Sequence, residues 1–419
     1  MFDVLIKGGT VIDGTGKPGT RTDVGIRGKT IAAVENLSTA SRRYLIDATG
    51  LTVCPGFIDT HCHTEAALLN DPQHACGIRM GVTTEVLGQD GLSYAPLSPE
   101  NYRMYSRFIS GIYGLPPQDL NMSSVAAFRD HYHQKCSVNT VALVPHCAIR
   151  ISTVGFRDVQ LRGEALNKAR RIVQEGLEHG AAGISTGLGF FPAAYADTEE
   201  LVELGKIIAD ANAIFVIQER VFNIDRATAD DGIAEVLEVG RRSGAKMHLA
   251  HFFVRPSGAG ATNETSRRRP DINALSSRLM KKIDLAISEG VDITFDAYPY
   301  PSGSTTPTCR LPGWFADGGT EEVLKRLDNK SERAKLISYL SNRHGEEIGD
   351  TVWSYIGSED NKMLEGMSWR DAAGQRGESV PEMMCSVMLE EKLNCGLVIA
   401  PPKSTVYWRA IGERDNYAT

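Results

Sequence analysis

The sequence contains no run of about 18 consecutive apolar residues, the length that a membrane-spanning helix requires. It has no block of like charges and no basic stripe, and its formal net charge is −7. Nucleic acid and anionic membranes are therefore not expected as partners. The eight cysteines (Cys54, Cys62, Cys76, Cys136, Cys147, Cys309, Cys385 and Cys395) include no C-x-x-C pair and lie in apolar, strand-like or helical text. That placement excludes a small disulfide scaffold and points to a reducing cytoplasm, with most thiols as buried small apolar groups. The opening Met1-Phe2-Asp3-Val4-Leu5-Ile6-Lys7 lacks a charged segment leading into a long apolar run, so no signal peptide is expected. What is present is ordinary for a globular protein: 419 residues, 42% hydrophobic and 23% charged, enough for a large core and a smaller second domain.

From Phe2 to Cys54 short strand-like runs alternate with turn signals such as Gly8-Gly9 and Gly14-Thr15-Gly16. Residues 1–54 are expected to form a small all-β unit. After Pro55 the pattern changes. Apolar runs at Phe57–His63, Thr83–Leu87, Thr140–Pro145, Ala182–Ser185, Ile214–Gln218, Lys246–His251 and Asp292–Ala297 are separated by amphipathic text. Leu166–Glu178, Glu199–Ala211 and Ile272–Glu289 space their apolar residues at three and four, which predicts helices. Alternation of this kind builds parallel βαβ units, and seven strands are one short of a closed (β/α)8 barrel.

Residues 301–395 read as an insertion after strand seven, and the text from Gly396 to Thr419 is short for an eighth strand, its helix and a return to the β-unit. The expectation is an α/β protein with a TIM-type barrel over residues 55–419. Its eighth strand would be missing or atypical, and a small N-terminal β-sandwich, ordinarily completed by C-terminal strands, would precede it.

Chemistry is sought at the C-terminal ends of barrel strands. Within Phe57-Ile-Asp-Thr-His-Cys-His63, a period of two puts Phe57, Asp59, His61 and His63 on one face. Two imidazoles there can grip one ion; the plainer alternative is a pair of surface or core histidines. Strand two ends in Gly88-Gln-Asp-Gly91, where Asp90 is either an oxygen ligand or an ordinary turn aspartate. At the end of strand six, His251 is favoured as a ligand and His248 as packing, because parity sets them on opposite sides of an ideal strand. Gln218, ending strand five, is a poor ligand beside a histidine, so a second metal there would be weak. His146 and Arg150 suit substrate polarisation and carboxylate binding, although Arg150 can equally serve as a cap or a surface pair. Tyr298 and Ser304 follow strand seven and can line a substrate pocket.

At these motifs the sequence resembles the N-acyl-D-amino-acid deacylase (D-aminoacylase) branch of the amidohydrolase superfamily. The resemblance is carried by Val4-Leu-Ile-Lys-Gly-Gly-Thr-Val-Ile-Asp-Gly-Thr-Gly16, Pro55-Gly-Phe-Ile-Asp-Thr-His-Cys-His63, Gly81-Val-Thr-Thr-Glu85, Gly183-Ile-Ser-Thr-Gly-Leu188, Ala194-Tyr-Ala-Asp-Thr-Glu-Glu-Leu201 and Asp296-Ala-Tyr-Pro-Tyr-Pro-Ser-Gly-Ser-Thr305. It implies zinc-dependent cleavage of the amide bond of a small N-acyl-D-amino acid, with one or two Zn2+ or another divalent metal. It further implies that His61, His63, Asp90 and His251 are ligands and that Tyr298 and Ser304 contact substrate. His146 and Arg150 match a strand-three motif. The sequence departs from that branch in having Asp90 where a cysteine ligand is usual, Gln218 where a histidine is usual, and Phe253 where a lysine is usual. The resemblance places the family's general base, a strand-eight aspartate, at a position expected beyond Thr419. Two alternatives stand beside this reading. One is a cyclic-amide hydrolase of the hydantoinase or dihydroorotase kind, which needs a strand-four lysine where Ser185-Thr186 stands; the other is a non-catalytic barrel.

Overall fold

The computed structural model describes residues 1–220, 229–252, 272–297, 302–344, 347–399 and 417–418. Contacts divide the chain into two compact units, Met1–Ile58 with Arg79–Thr83 and Asp59–Ile78 with Thr84–Thr419. The first unit contains β1 (Phe2–Val11), β2 (Thr20–Arg27), β3 (Thr30–Glu35), β4 (Arg42–Asp47) and β5 (Thr52–Val53), in a sheet of order β3-β2-β1-β4 with β5 against β1. Phe2, Leu5 and Leu37 form its small core. The buried Asp23 carboxylate accepts from the backbone N–H groups of Gly8 (2.8 Å) and Leu37 (2.9 Å), so burial leaves neither oxygen unsatisfied. The described residues of this unit form one five-stranded sheet; the second layer of the expected sandwich is not among them, and β4 is exposed along its whole length.

The barrel strands are β6 (Phe57–Asp59), β7 (Val82–Leu87), β8 (Asn139–Pro145), β9 (Gly183–Gly187), β10 (Ile214–Gln218), β11 (Lys246–Leu249) and β12 (Ile293–Asp296). They lie side by side in chain order, and the pairings from β7 through β12 are parallel. This is the order that alternating strands and helices produce when each helix crosses over to the next strand. Helices Gly163–Glu178 and Thr198–Asp210 follow the predicted periodicity. The first buries Ala169, Val173 and Gly176. A Cβ on Gly176 would stand 2.5 Å from Val144 Cγ2, so the missing side chain is what lets the helix close on β8. The second helix is capped by Asp197, whose carboxylate accepts from Glu200 N at 3.0 Å, satisfying a first-turn donor.

The chain after strand seven contains more sheet than the sequence indicated. The segment from 302 to 399 contains strands as well as helices: β13 (Gly303–Thr305), β14 (Val352–Ile356) and β15 (Cys395–Ile399) form an antiparallel sheet of order β13-β15-β14. The apolar run Gly396–Ile399 therefore pairs within the insertion, which extends past Cys395. Trp353 and Trp369, both fully buried with rings 4.9 Å apart, fill the core of this region. The eighth position of the barrel sheet holds the two-residue strand β16 (Tyr417–Ala418), which pairs in parallel with β12.

The strand ends also differ from expectation where they bear on chemistry. β6 stops at Asp59, so His61 and His63 follow the strand rather than alternating within it. β11 stops at Leu249, between His248 and His251, and this frees His251 from strand parity. The turn after β7 depends on glycine. Gly88 has φ +88° and its Cβ would stand 2.7 Å from the Leu143 carbonyl oxygen, while Gly91 has φ +66° with a Cβ 3.0 Å from Thr186 Cα. Both glycines let the turn approach the backbones of β8 and β9, in a conformation costly for other residues. Gly88→Ala is expected to destabilise the protein by roughly 1–3 kcal/mol, measured by denaturant unfolding, whereas Gly377→Ala, with the same left-handed backbone but open space at its Cβ, should cost less.

Candidate metal centre

Three imidazoles meet one carboxylate oxygen at the C-terminal ends of the strands. Asp90 Oδ2 lies 3.3 Å from His61 Nε2, 3.4 Å from His63 Nε2 and 3.3 Å from His251 Nε2. The ligand atoms of His61, Asp90 and His251 all fall within 4.8 Å of one another. Asp90 (φ +56°) and His251 (φ +32°) are both in the left-handed region, which Asp and His enter more readily than most side chains but which is still rare. Here the surrounding structure enforces it.

Each of the converging segments is held by polar contacts. The Asp90 turn is anchored on both sides. Gly88 N–H donates to Glu65 Oε1 at 2.7 Å, Gln89 Nε2 donates to the Thr60 carbonyl at 2.7 Å, and Gly91 N–H donates to Ser185 Oγ at 3.0 Å. Ser185 Oγ in turn donates to the Gly88 carbonyl. On the opposite side, Asp296 closes β12. Its Oδ1 accepts from the His251 backbone N–H, and its Oδ2 lies 3.2 Å from His248 Nε2 and 3.7 Å from His61 Nδ1. His248 Nδ1 contacts Thr294 Oγ1 at 2.7 Å, so His248 is engaged with β12, in keeping with a packing role. The His61 backbone N–H donates to Asp59 Oδ1 at 3.1 Å.

The electrostatics favour positive charge beside these carboxylates. Burial alone would depress the His61 pKa, yet the Asp90 and Asp296 carboxylates outweigh it and push the imidazole up to about 10. Burial likewise opposes ionisation of Asp90, and the surrounding His251 and His61 overcome it, holding the carboxyl well below its usual range. Asp296 is lowered in the same way by His248 and His61. His63 moves in the other direction: burial holds it below the ordinary histidine value despite Asp90. Two carboxylates thus require positive charge among histidines of which burial favours one as neutral.

Both His61 ring nitrogens and Asp90 Oδ1 are buried without a hydrogen bond, an arrangement that is costly unless another group satisfies them. Nitrogen-to-oxygen separations of 3.3–3.4 Å are those of neighbouring ligands whose metal–ligand bonds are about 2.0–2.1 Å, and His61, Asp90 and His251 form the group whose ligand atoms lie within 4.8 Å of one another, with His63 outside it. The residues present fit a divalent ion.

The other expected site residues have different surroundings. His146 and Arg150 lie on the helix His146–Val154 and are fully buried. His146 Nδ1 contacts Thr186 Oγ1 and its Nε2 contacts Glu200 Oε1, each at 2.8 Å. Arg150 Nη1 donates to both oxygens of Glu200 (2.7 and 2.6 Å), and its Nη2 donates to the Val159 carbonyl at 2.5 Å. Their polar ends are thus committed to a protein carboxylate, in contrast to the substrate-facing role expected from sequence. Gln218 ends β10 with its Oε1 buried and unbonded; both that oxygen and the Asp90 carbonyl crowd Gly187, standing 2.8 and 2.5 Å from where a Cβ would be. Ser304 lies in β13, where its hydroxyl donates to the Leu397 carbonyl at 3.4 Å. Tyr298 and Phe253 lie outside the described residues.

Asp296 and Ser185 escaped the sequence reading as site residues. For Asp296 a signal existed, since it is a carboxylate at the C-terminal end of an apolar run. The commitment of Ser185 to the Asp90 turn had none.

A parallel α/β sheet with histidines and a carboxylate converging at the C-terminal ends of its strands can hold a divalent ion. The family model described as "Amidohydrolase family" matches residues 44–267, just over half of the chain, and the chain belongs to the amidohydrolase family. It is 33% identical over 306 residues to the N-acyl-D-glutamate deacylase of Alcaligenes xylosoxydans xylosoxydans and 32% identical over 314 residues to the D-aminoacylase of that organism. In each case the match covers 73% of this chain and 58% of the relative, so the chain spans less than two thirds of the length of these curated relatives. Among solved structures, the N-acyl-D-glutamate deacylase of Bordetella bronchiseptica, complexed with zinc and a phosphonate mimic of the tetrahedral intermediate, superposes with a TM-score of 0.74 at 25% identity, covering 96% of this chain and 72% of that one. A D-aminoacylase crystal structure gives a TM-score of 0.69 at 26% identity, covering 95% and 71%.

The buried Glu200 pair yields a prediction for acid stability. Burial would raise the Glu200 carboxyl, but His146 and Arg150 bring it down to about 2 from the usual 4.5. A carboxyl depressed on folding contributes stability that is complete above pH 4.5 and is lost as pH falls toward 2. Glu200→Gln is expected to flatten that part of the stability–pH curve. It should also cost about 3–5 kcal/mol at neutral pH by leaving Arg150 buried without its partner, as measured by denaturant unfolding at several pH values.

Proposed function

We propose that this protein is a zinc-dependent amidohydrolase that cleaves the linear amide bond of an N-acyl-D-amino acid, releasing a carboxylate and the free D-amino acid. The observation that carries the reading is the convergence of three imidazole nitrogens on Asp90 Oδ2 at 3.3–3.4 Å with both nitrogens of His61 otherwise unbonded. His61, His63, Asp90 and His251 would hold the ion. When bound, such an ion lowers the pKa of water and polarises an acyl carbonyl. Asp90 brings the negative charge that offsets the ion. Asp296 fixes the His251 backbone through its N–H and so keeps the imidazole turned toward Asp90. Glu65, Gln89 and Ser185 hold the Asp90 turn at fixed depth, the kind of preorganisation a reaction centre needs.

The relatives named above support the substrate class, being deacylases of N-acyl-D-amino acids by their names. Ser185 supports the linear-amide reading over the cyclic one. On strand four, where the cyclic-amide hydrolases use a lysine to bridge two metals, Ser185 is instead committed to Gly88 and Gly91. Eight free cysteines fit a reducing compartment, and we place the activity in the cytoplasm.

Elemental analysis of the purified 419-residue chain is expected to find about one zinc per chain, lost in the His61→Ala/His63→Ala double variant. The loaded protein is expected to release free amino acid from N-acyl-D-amino acids and to leave the L-enantiomers and hydantoins intact. Hydantoin turnover without deacylation would replace this reading by the cyclic-amide one, and absence of metal from the unsubstituted chain would overturn it.

A further inference from the structure

One buried hydroxyl links two of the segments that meet at Asp90. Tyr113 ends the short helix Ser110–Tyr113 and is 5% exposed. Its hydroxyl oxygen lies 2.8 Å from His63 Nδ1 and donates to the Leu92 carbonyl at 3.3 Å. The ring stands edge-on to His63, with centroids 5.2 Å apart, and lies 5.7 Å from Tyr94. Leu92 directly follows the Gly88–Gly91 turn that presents Asp90, and its own N–H donates back to Gln89 at 2.9 Å. The hydroxyl therefore ties the segment after β6 to the segment after β7.

The two partners differ in what they can do. A carbonyl only accepts, so both contacts are hydrogen bonds at once only when the hydroxyl donates to Leu92 and its oxygen accepts from Nδ1–H of His63. An imidazole protonated at Nδ1 carries its lone pair on Nε2, the atom that faces Asp90 Oδ2 at 3.4 Å. Two lone-pair atoms facing each other at that distance repel unless a positive charge lies with them. Metal-bound histidines commonly donate their remote N–H to an oxygen acceptor, which sets tautomer and ring orientation. At His63 a tyrosine hydroxyl occupies that acceptor position, held in place by the backbone of the Asp90 turn.

We propose that Tyr113 is a positioning residue for the metal: its hydroxyl fixes His63 as the Nδ1–H tautomer and presents Nε2 to the ion beside Asp90. The proposal rests on the metal-centre reading above.

Tyr113→Phe removes only the oxygen and leaves the ring packing intact. Tyr94→Phe is the matched control, because Tyr94 is a neighbouring, fully buried tyrosine whose hydroxyl makes no hydrogen bond. Zinc affinity of the full chain is read by competition with a chromogenic chelator, the ligand field by the visible spectrum of the Co(II)-loaded protein, and folding by the melting temperature of the metal-free form. Tyr113→Phe is expected to weaken zinc binding about 10–100-fold and to alter the Co(II) spectrum, with both readouts unchanged in Tyr94→Phe. Zinc affinity and a Co(II) spectrum in Tyr113→Phe that match the unsubstituted protein would overturn the proposal. So would equal losses in both variants accompanied by equal falls in melting temperature, which would reduce Tyr113 to a packing role. Failure of the unsubstituted chain to bind zinc or cobalt would overturn the metal-centre reading itself, and this inference with it.

Discussion

The candidate site depends on keeping one carboxylate oxygen among three imidazole nitrogens. Asp90 can reach that position only because its backbone is left-handed between two glycines that are themselves left-handed. Gly88 and Gly91 press against Leu143 and Thr186, so the turn is pushed as far into the barrel mouth as the neighbouring strands allow. His251 meets it from the far side of the sheet with its own left-handed backbone. Conformations of this kind persist where the surroundings over-determine them, and they concentrate at functional sites. Glu65, Gln89 and Ser185 supply that determination for Asp90, and Asp296 supplies it for His251.

A second buried charge cluster, Arg150 with Glu200 and His146, stands close in sequence to this machinery, its members paired with one another and only the Arg150 Nε left without a hydrogen bond. Glu200 accepts from Arg150 through both oxygens and meets His146 Nε2; the other nitrogen of His146 reaches Thr186. Thr186 follows Ser185, which grips the Asp90 turn. The cluster thus anchors the helix His146–Val154 and the helix Thr198–Asp210 to the strand from which the Asp90 turn is held. Buried ion pairs of this kind are often poor sources of net stability, but they are costly to break. Scaffolding accounts for the burial of all three side chains more economically than a substrate contact does.

Much of this was legible in the sequence, and the exceptions have a common physical cause. Ile214–Gln218 reads as a strand because a short apolar run bounded by turn text has few other uses, and its limits agree with the structure. His61 and His63 were found from a strand-period argument although β6 ends at Asp59; their position after the strand mattered more than the face they were assigned. The glycines around Asp90 mark a turn in the sequence, but only the structure shows that the space their side chains would fill is taken by the backbones of β8 and β9. Tyr113 is 50 positions from His63, and Glu200 is 50 positions from Arg150. Pairings at that separation leave no local periodicity, so neither partner could be inferred before the fold was known. Asp296 was legible in principle, but an aspartate at a strand end differs from a turn aspartate only in what the barrel brings to it.

On the proposed reading, Asp90 as the central ligand sets the character of the site. The resembling deacylase branch usually has a cysteine at this point, and a thiolate is a soft donor that favours zinc through the bond itself. A carboxylate is harder and less selective, so discrimination must come from geometry and from the number of imidazoles around it. That shifts the burden onto the groups that hold those imidazoles: Asp59 and Asp296 on the backbones of His61 and His251, and Tyr113 on the ring of His63. With glutamine at position 218, where that branch usually has a histidine, one further nitrogen is withdrawn from the mouth of the barrel. On the proposed reading, the His61, Asp90 and His251 group with His63 beside Asp90 would hold one ion.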